Sequence, residues 1–394
     1  MKIILYIIKG HFIIIYFFIK LFTKQKKQVY LLSRQFNSPS INYQIIIDEL
    51  KKDNIPYKVK CKKISSSIND SMRTQGHYSN TFNLIKKVFS NLKSTLSYYF
   101  SLYDQMVSIA SSKVIIVDGY NLPVSLLKHK KGTKVIQMWH ALGAIKKFGY
   151  QSIGKVDGIN PTVARILKMH ANYDYVISGS EGMNKYFAEA FNVPIEKVLA
   201  IGTPSIEFLK KKDNKITKKI KEKYPALKNK INVLYSPTFR NEKNYNYEEL
   251  INNTDFTKVN LIITNHFKVE ERATDPRVIN INSNEFQTFD ILKIVDYVIT
   301  DYSALMIDAA VINKKILLYV YDYDEYKKNN GVNLDLLNDF PTIAYQDAKK
   351  LMNIINKNKY DIKAYHEFQK KYTPHIKTTS TEANMDLIKR CLDE

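Results

Sequence analysis

After residue 27 this chain repeats one unit, and that repetition narrows the fold more than any other feature. Each unit is a short β-branched or aromatic run, then a polar cluster, then a stretch of helical period. The runs fall at 29–32, 57–61, 114–117, 135–138, 175–177 and 198–201. A second series falls at 231–235, 259–263, 278–281, 297–299 and 316–320. Helical stretches such as 41–50 and 181–191 separate many of them. Strands alternating with helices predict parallel sheets with right-handed crossovers, and two series predict two doubly wound domains. The expected class is α/β, with Rossmann-like domains at 28–206 and 207–394 preceded by a separate segment at 1–27. The 394 residues suit two such domains. The lysine-dense stretch 210–223, with eight lysines and two acids, is expected just after the junction as a solvated helix face.

Composition enters through charge. Sixty Lys+Arg against 38 Asp+Glu give a formal net charge of +22, which calls for an anionic partner without naming it. A hydrophobic content of 45% excludes a disordered polycation. Cys61 and Cys391 cannot form a disulfide framework or a four-thiolate zinc site, and this favours the intracellular side of a membrane. The charge is also uneven: Lys2, Lys9, Lys20, Lys24, Lys26, Lys27 and Arg34 all precede the first acid, Asp48. Residues 3–22 are apolar except for Lys9, Gly10, His11 and Lys20. That length matches the roughly 20 residues needed to span a bilayer. At about 100° per residue, however, Lys2, Lys9 and Lys20 share one line of a helix, with Tyr6 and Tyr16 beside it. A lysine stripe of this kind predicts a helix lying in the interface of an anionic leaflet, with a true span or a buried core helix as alternatives. The TKQKK that follows is unlike a signal-peptide cleavage site.

The unusual residues sit just after the strands. In the first half they are SRQ at 33–35, DGY at 118–120, WHALG at 139–143, SGSEG at 178–182 and GTP at 202–204. In the second half they are SPTFR at 236–240, TNH at 264–266 and TDYSA at 300–304. Ligands of open parallel sheets bind at the carboxyl ends of the strands, so two domains with those ends facing would enclose one cleft. No GxGxxG or P-loop is present, which leaves dinucleotide oxidoreduction and P-loop hydrolysis unsupported.

The clusters carry usable chemistry. His140, beside the only tryptophan, is placed at a strand end to accept a proton near neutral pH, and Lys146 and Lys147 follow it as partners for phosphate oxygens. Ser236, Thr238 and Arg240 supply two hydroxyls and a guanidinium, a set suited to phosphate. His266 ends the strand VNLIIT in the same manner. Thr300, Asp301 and Ser303 lead into a helix for which Ser303 is the expected N-cap, and Asp308 lies about a turn and a half further on, within reach of ribose hydroxyls. Each group has a plainer structural reading: a satisfied histidine, a structural ion-pair arginine, a helix cap, a solvent-facing acid. Their clustering at strand ends is what the plain readings leave unexplained. Asp322-Tyr323-Asp324 has the form of a metal-binding DxD, but two aspartates at that spacing are common by chance, and no metal or cofactor is expected.

Taken together, WHALGAIKKFG, SPTFR, the strand-end NH, TDYSALMIDAAVINKKILLYVYDYDEYKKNNGVNLDL and SRQFNSPSINYQIIIDEL resemble the CDP-glycerol glycerophosphotransferase family of teichoic acid synthesis, from about residue 28 to 340. Two positions depart from the family pattern: Ala141 stands where Gly often follows the Trp-His pair, and Phe267 where Pro often follows the second histidine. The resemblance implies a two-Rossmann (GT-B) fold, attachment to the cytoplasmic face of the cell membrane, and transfer of a polyol phosphate from a CDP-activated donor. The compact length and the GVNLDL and WHALGAIKKFG variants look most like the priming member. That member adds glycerol phosphate from CDP-glycerol to N-acetylmannosaminyl-N-acetylglucosamine on undecaprenyl diphosphate.

On that resemblance a sugar hydroxyl attacks the glycerol-bearing phosphorus in line and CMP leaves. His140 of the first, acceptor-side domain is the expected base. His266, Arg240 and Ser303, backed by Thr300 and Ser236, are expected to hold the diphosphate on the second, donor-side domain; the two histidine roles are exchangeable. Lys146 and Lys147 are expected at the acceptor's diphosphate. The alternatives are CDP-ribitol as donor, repeated transfer building a polymer, or a nucleotide-sugar glycosyltransferase. A further alternative is a non-catalytic basic protein of the membrane surface or of nucleic acid. No helix-turn-helix, RRM or zinc pattern supports nucleic acid.

Overall fold

The structure, a computed structural model, describes residues 2–63, 92–155, 158–238, 245–264, 273–281 and 285–394. The chain forms two compact units. The first comprises residues 1–205 with 374–394, and the second residues 206–373. Each is built on a six-stranded sheet in which every strand pair is parallel.

In the first unit the strands are β1 (Lys26–Ser33), β2 (Tyr57–Cys61), β3 (Ser112–Val117), β4 (Lys134–Gln137), β5 (Tyr175–Ile177) and β6 (Val198–Leu199). They lie in the order β2-β1-β3-β4-β5-β6. Strands covered on both faces read as continuous apolar runs rather than alternating ones. Leu31, Val114, Ile116, Ile136 and Ile177 are accordingly all fully enclosed. On one face they meet Tyr43, Ile46, Ile47 and Leu50 of helix α2 (Ile41–Lys52), which follows the N-terminal helix α1 (Lys2–Phe22). The Ser40 hydroxyl caps α2 by accepting from the Tyr43 amide.

In the second unit β7 (Ile231–Tyr235), β8 (Val259–Ile263), β9 (Ile279–Asn280), β10 (Tyr297–Thr300), β11 (Lys315–Tyr319) and β12 (Ala344–Tyr345) take the order β12-β11-β10-β7-β8-β9. Its core joins Val233, Leu261, Ile299 and Leu317 to Leu351, Met352 and Ile355 of the helix Ala348–Asn356. The edge strand β12 has two residues and no β-branched run, so sequence pattern alone did not reveal it. The lysine-rich stretch forms the helix Asn214–Lys223, of which only Ile220 is buried.

The expected C-terminal domain of 207–394 needs one correction: residues 374–394 belong to the first unit. The last helix, Ser380–Asp393, inserts Met385, Ile388, Cys391 and Leu392 into the first unit's core. Its Asn384 amide donates to the Gly202 carbonyl at 2.9 Å, and Lys389 pairs with Asp53 at 2.8 Å. An apolar helix stripe goes where a matching apolar sheet face is open, whichever domain precedes it in sequence.

Helix α1 packs along the helices α3 (Leu92–Ser111) and Pro161–Ile166. Only Phe12 and Tyr16 are buried, so the core-helix alternative does not hold. Three polar groups of α1 meet its own unit. His11 meets the hydroxyls of Tyr103 and Tyr99 at 2.6 and 2.7 Å, Tyr16 donates to His129 at 3.2 Å, and Lys20 donates to the Lys128 carbonyl at 2.9 Å. One lysine of the expected membrane-facing stripe is thus spent on packing. The outward surface is apolar instead: Ile3, Ile7, Ile14, Phe17, Phe18 and Leu21 are exposed, continued on α3 by Phe100 and Val107. By length and composition α1 is also long and apolar enough to cross a membrane.

Truncating Ile388, which is 1% exposed, leaves a cavity between the last helix and the first sheet. Ile388→Ala is expected to lower stability by about 2–5 kcal/mol in urea unfolding. An Ile388→Ala midpoint equal to that of the parent chain would show that this helix does not complete the core.

Candidate functional site

The first unit's site is organised by the turn that follows β4. Trp139 takes a left-handed conformation (φ 53°), a strained state for a large side chain that persists only where surroundings hold it. Several contacts do so. The Trp139 amide donates to the Gln137 side-chain carbonyl at 3.0 Å, and the Gln137 amide group donates to the Gly119 carbonyl at 3.2 Å. The indole stacks on Phe148 at 4.6 Å and meets Phe191 edge-on at 5.2 Å. Residues 140–149 then run over helix α4 (Glu181–Phe191). Two glycines permit that approach. A Cβ on Gly179 would stand 2.3 Å from the Leu142 carbonyl oxygen, and one on Gly149 (φ 55°) would stand 2.2 Å from that of Ala190.

This turn presents His140 with a defined tautomer. Its Nδ1 lies 3.0 Å from the Asp118 carbonyl oxygen. A carbonyl only accepts, so Nδ1 carries the proton and Nε2 is left as a proton acceptor. The residue is exposed at the surface of the turn, although neighbouring protein atoms still desolvate part of the ring. That desolvation pushes the imidazole pKa down, the bond to Asp118 opposes it, and the Lys146 charge adds to the lowering. The lowering favours the neutral ring, in which Nε2 can accept a proton. Lys146 is exposed and Lys147 half-buried on the same segment.

Asp118 itself is 3% exposed, and among the described residues neither carboxylate oxygen is in hydrogen-bond geometry to a donor. Burial pushes its carboxyl up to about 6; the Ser33 hydroxyl and the Arg34 charge pull only partly back, Ser33 lying near without completing a bond. The SGSEG and GTP clusters serve the fold. The Ser178 hydroxyl bonds Asn184, the Ser178 carbonyl accepts from the Gly202 amide at 2.9 Å, and the Gly202 carbonyl accepts from Asn384.

In the second unit the ends of β7 and β10 are tied by one carboxylate. Asp301, fully buried, accepts from the Thr238 amide at 2.9 Å, the Thr238 hydroxyl at 2.6 Å and the Tyr302 amide at 2.7 Å. The Thr300 hydroxyl donates to the Ser236 carbonyl at 2.8 Å. Thr238, Thr300 and Asp301 are thus brought together as the brace of two strand-end loops, with Ser236 and Ser303 half-exposed beside them. Ser303, the expected N-cap, instead stands one residue before the observed cap, Ala304, at the start of helix α5 (Leu305–Val311). Its hydroxyl still accepts from the Leu305 amide at 3.2 Å, because a serine two residues before an amide reaches it as readily as a cap does. Asp308 is half-exposed, and desolvation pushes its carboxyl up to about 7. Of the DxD pair, Asp322 accepts from the Tyr302 hydroxyl at 2.8 Å while Asp324 is exposed in the following helix. Arg240 and His266 lie outside the described residues.

Sequence reasoning missed Gln137, whose side chain braces the Trp139 turn. Its signal was a single amide in an otherwise apolar strand end. It also singled out SRQ and DGY without giving Arg34 or Asp118 a role.

A family profile described as CDP-Glycerol:Poly(glycerophosphate) glycerophosphotransferase matches residues 14–390. A teichoic acid glycerol-phosphate primase of Bacillus subtilis is 32% identical over 276 residues, covering 67% of this chain and 70% of the primase. A teichoic acid poly(ribitol-phosphate) polymerase of Bacillus spizizenii is 29% identical over 88% of this chain, which spans only 54% of that polymerase's length. Among solved structures, the wall teichoic acid polymerase TagF superposes with a TM-score of 0.68 at 15% identity, over 100% of this chain and 98% of TagF. S. aureus MnaA, solved with UDP, superposes with a TM-score of 0.52 at 12% identity, over 93% of this chain and 97% of MnaA. These structural likenesses are of fold, and they match the two parallel-sheet units described above. With a profile that runs across nearly the whole sequence, the chain belongs to the CDP-glycerol:poly(glycerophosphate) glycerophosphotransferase family, enzymes of teichoic acid synthesis.

Proposed function

We propose that this protein transfers glycerol phosphate from CDP-glycerol to a lipid-linked N-acetylmannosaminyl-N-acetylglucosamine acceptor on undecaprenyl diphosphate. The first unit takes the acceptor and the second the CDP donor, each at the carboxyl ends of its own strands. The observation that carries the reading is the His140 tautomer, fixed by the Asp118 carbonyl so that Nε2 stands unprotonated at a strand end. In the proposed reaction Nε2 accepts the proton of the acceptor hydroxyl as its oxygen bonds to the glycerol-bearing phosphorus. The bond from that phosphorus to the bridging oxygen breaks, and CMP leaves with the electron pair. Ser236 and Ser303, held by the Asp301 brace, are proposed donor contacts together with Arg240 and His266. Thr238, Thr300 and Asp301 position those contacts, and Asp308 serves the ribose. A ribitol-phosphate donor is the second reading, supported by the similarity to a ribitol-phosphate polymerase.

The apolar outer face of α1 and α3 supports a peripheral seat on the anionic cytoplasmic leaflet, with the chain's net charge of +22 drawing it there.

Nucleotide release, CMP from CDP-glycerol or CDP-ribitol and UDP from UDP-sugars, with product mass read out, tests the reaction. CDP-glycerol is expected to be used with a disaccharide-lipid analogue, and release from UDP-sugars alone would overturn the reading. His140→Ala is expected to lose about 10²–10⁴-fold in turnover, the range for a general base. The pH profile follows from the lowered pKa. The base works unprotonated, so kcat/KM rises with pH through a limb below the ordinary 6.5 and is flat above it. A limb above pH 7 that His140→Ala abolishes would contradict the assigned environment. For the membrane seat, Ile14→Glu with Phe18→Glu places two charges on the outward face without touching the core. Sedimentation with anionic vesicles is expected to weaken at least tenfold, and unchanged sedimentation would remove α1 from the membrane.

A further inference from the structure

The SRQ loop at the end of β1 holds an arginine that the reading above leaves unused. Ser33 is buried, and its hydroxyl accepts from the Gln35 amide at 3.2 Å, which folds the loop back on itself. The Gln35 side chain then lies on Gly119, where a Cβ would stand 2.9 Å from its amide nitrogen. The β1 loop and the DGY loop are therefore in contact. Between them the Arg34 guanidinium sits 5.1 Å from the centre of the Tyr120 ring. That ring is 5% exposed and anchored by its hydroxyl, which donates to the Leu167 carbonyl at 3.3 Å.

Arg34 is half-buried, yet among the described residues it has no hydrogen-bond acceptor and no carboxylate within 4.0 Å. A guanidinium carries five donors, and burying it with all of them unspent is costly unless an anion arrives to take them. Asp118 feels its charge but is fully enclosed and beyond ion-pair distance, so it eases the field without using the donors. A planar guanidinium held over a ring is pre-organised for two parallel bonds to phosphate oxygens, which an ammonium on a flexible stem is not. The DGY loop that fixes Tyr120 also fixes His140, through the Asp118 carbonyl. An anion on Arg34 is therefore held against the loop that positions the base.

We propose that Arg34, stacked on Tyr120, is the phosphate-binding residue of the first unit and takes the diphosphate of the acceptor. This rests on the transferase reading for the identity of the ligand, and it moves to Arg34 the role expected of Lys146 and Lys147. The experiment titrates the full-length protein with inorganic pyrophosphate by calorimetry, with and without saturating CMP to occupy the donor side. Wild type is expected to keep a CMP-insensitive pyrophosphate site that weakens at least tenfold in Arg34→Gln and by a smaller factor in Arg34→Lys. Lys147→Gln is expected to change it less than twofold. In turnover, Arg34→Gln is expected to raise the acceptor KM about tenfold and leave the donor KM unchanged. Absence of the CMP-insensitive site in wild type overturns the proposal. So does its survival at full affinity in Arg34→Gln or, should that variant melt early, in Arg34→Lys. A wild type that binds pyrophosphate in this way but never releases CMP would sink the transferase reading and leave the Arg34 site standing.

Discussion

Both sheets are wholly parallel, and that constraint governs the rest of the molecule. A parallel strand cannot be followed by a tight hairpin, so the chain must leave each strand at its carboxyl end and return along a face. All the strand-end loops of a unit are thereby gathered on one edge, with their backbone groups in need of partners. In each unit the structure meets that need with a brace between neighbouring loops. In the first, Gln137 and His140 bond the Gly119 and Asp118 carbonyls; in the second, Asp301 holds Thr238 and Tyr302. The residues that would do chemistry are set by the same bonds that finish the fold.

The two braces differ in what they leave free. Among the described residues Asp301 spends its carboxylate on three donors, so it fixes loops and offers neighbouring hydroxyls to a ligand. His140 spends only Nδ1 and keeps Nε2 as an acceptor, because its partner is a carbonyl that cannot donate. A carboxylate bonded on every side is a positioning group, whereas an imidazole bonded on one side is a candidate base.

Much of this was legible in the sequence. The β-branched and aromatic runs marked eleven of the twelve described strands, and the polar clusters after eight of them marked the edge on which the loops gather. The missing strand, β12, is two residues long and takes its place from pairing with β11, a long-range contact that no local pattern records. The return of the last helix to the first unit was hidden for a related reason: its apolar stripe is visible, but which sheet face it covers is a tertiary matter. Asp301 read as a ligand group because a strand-end carboxylate usually faces solvent; its three bonds within the chain became visible only in the fold. For α1 the lysine line was legible, but not that Lys20 would be turned inward onto the Lys128 carbonyl.

The central claim is that the Asp118 carbonyl sets His140 as a neutral base with its free nitrogen at Nε2. Long-range ¹H–¹⁵N spectra of the histidine-labelled protein at pH 7.5, with the His140 signal identified by its loss in His140→Gln, read that state directly. The account requires a neutral ring protonated on Nδ1. A ring protonated on Nε2, or an imidazolium at that pH, would contradict it.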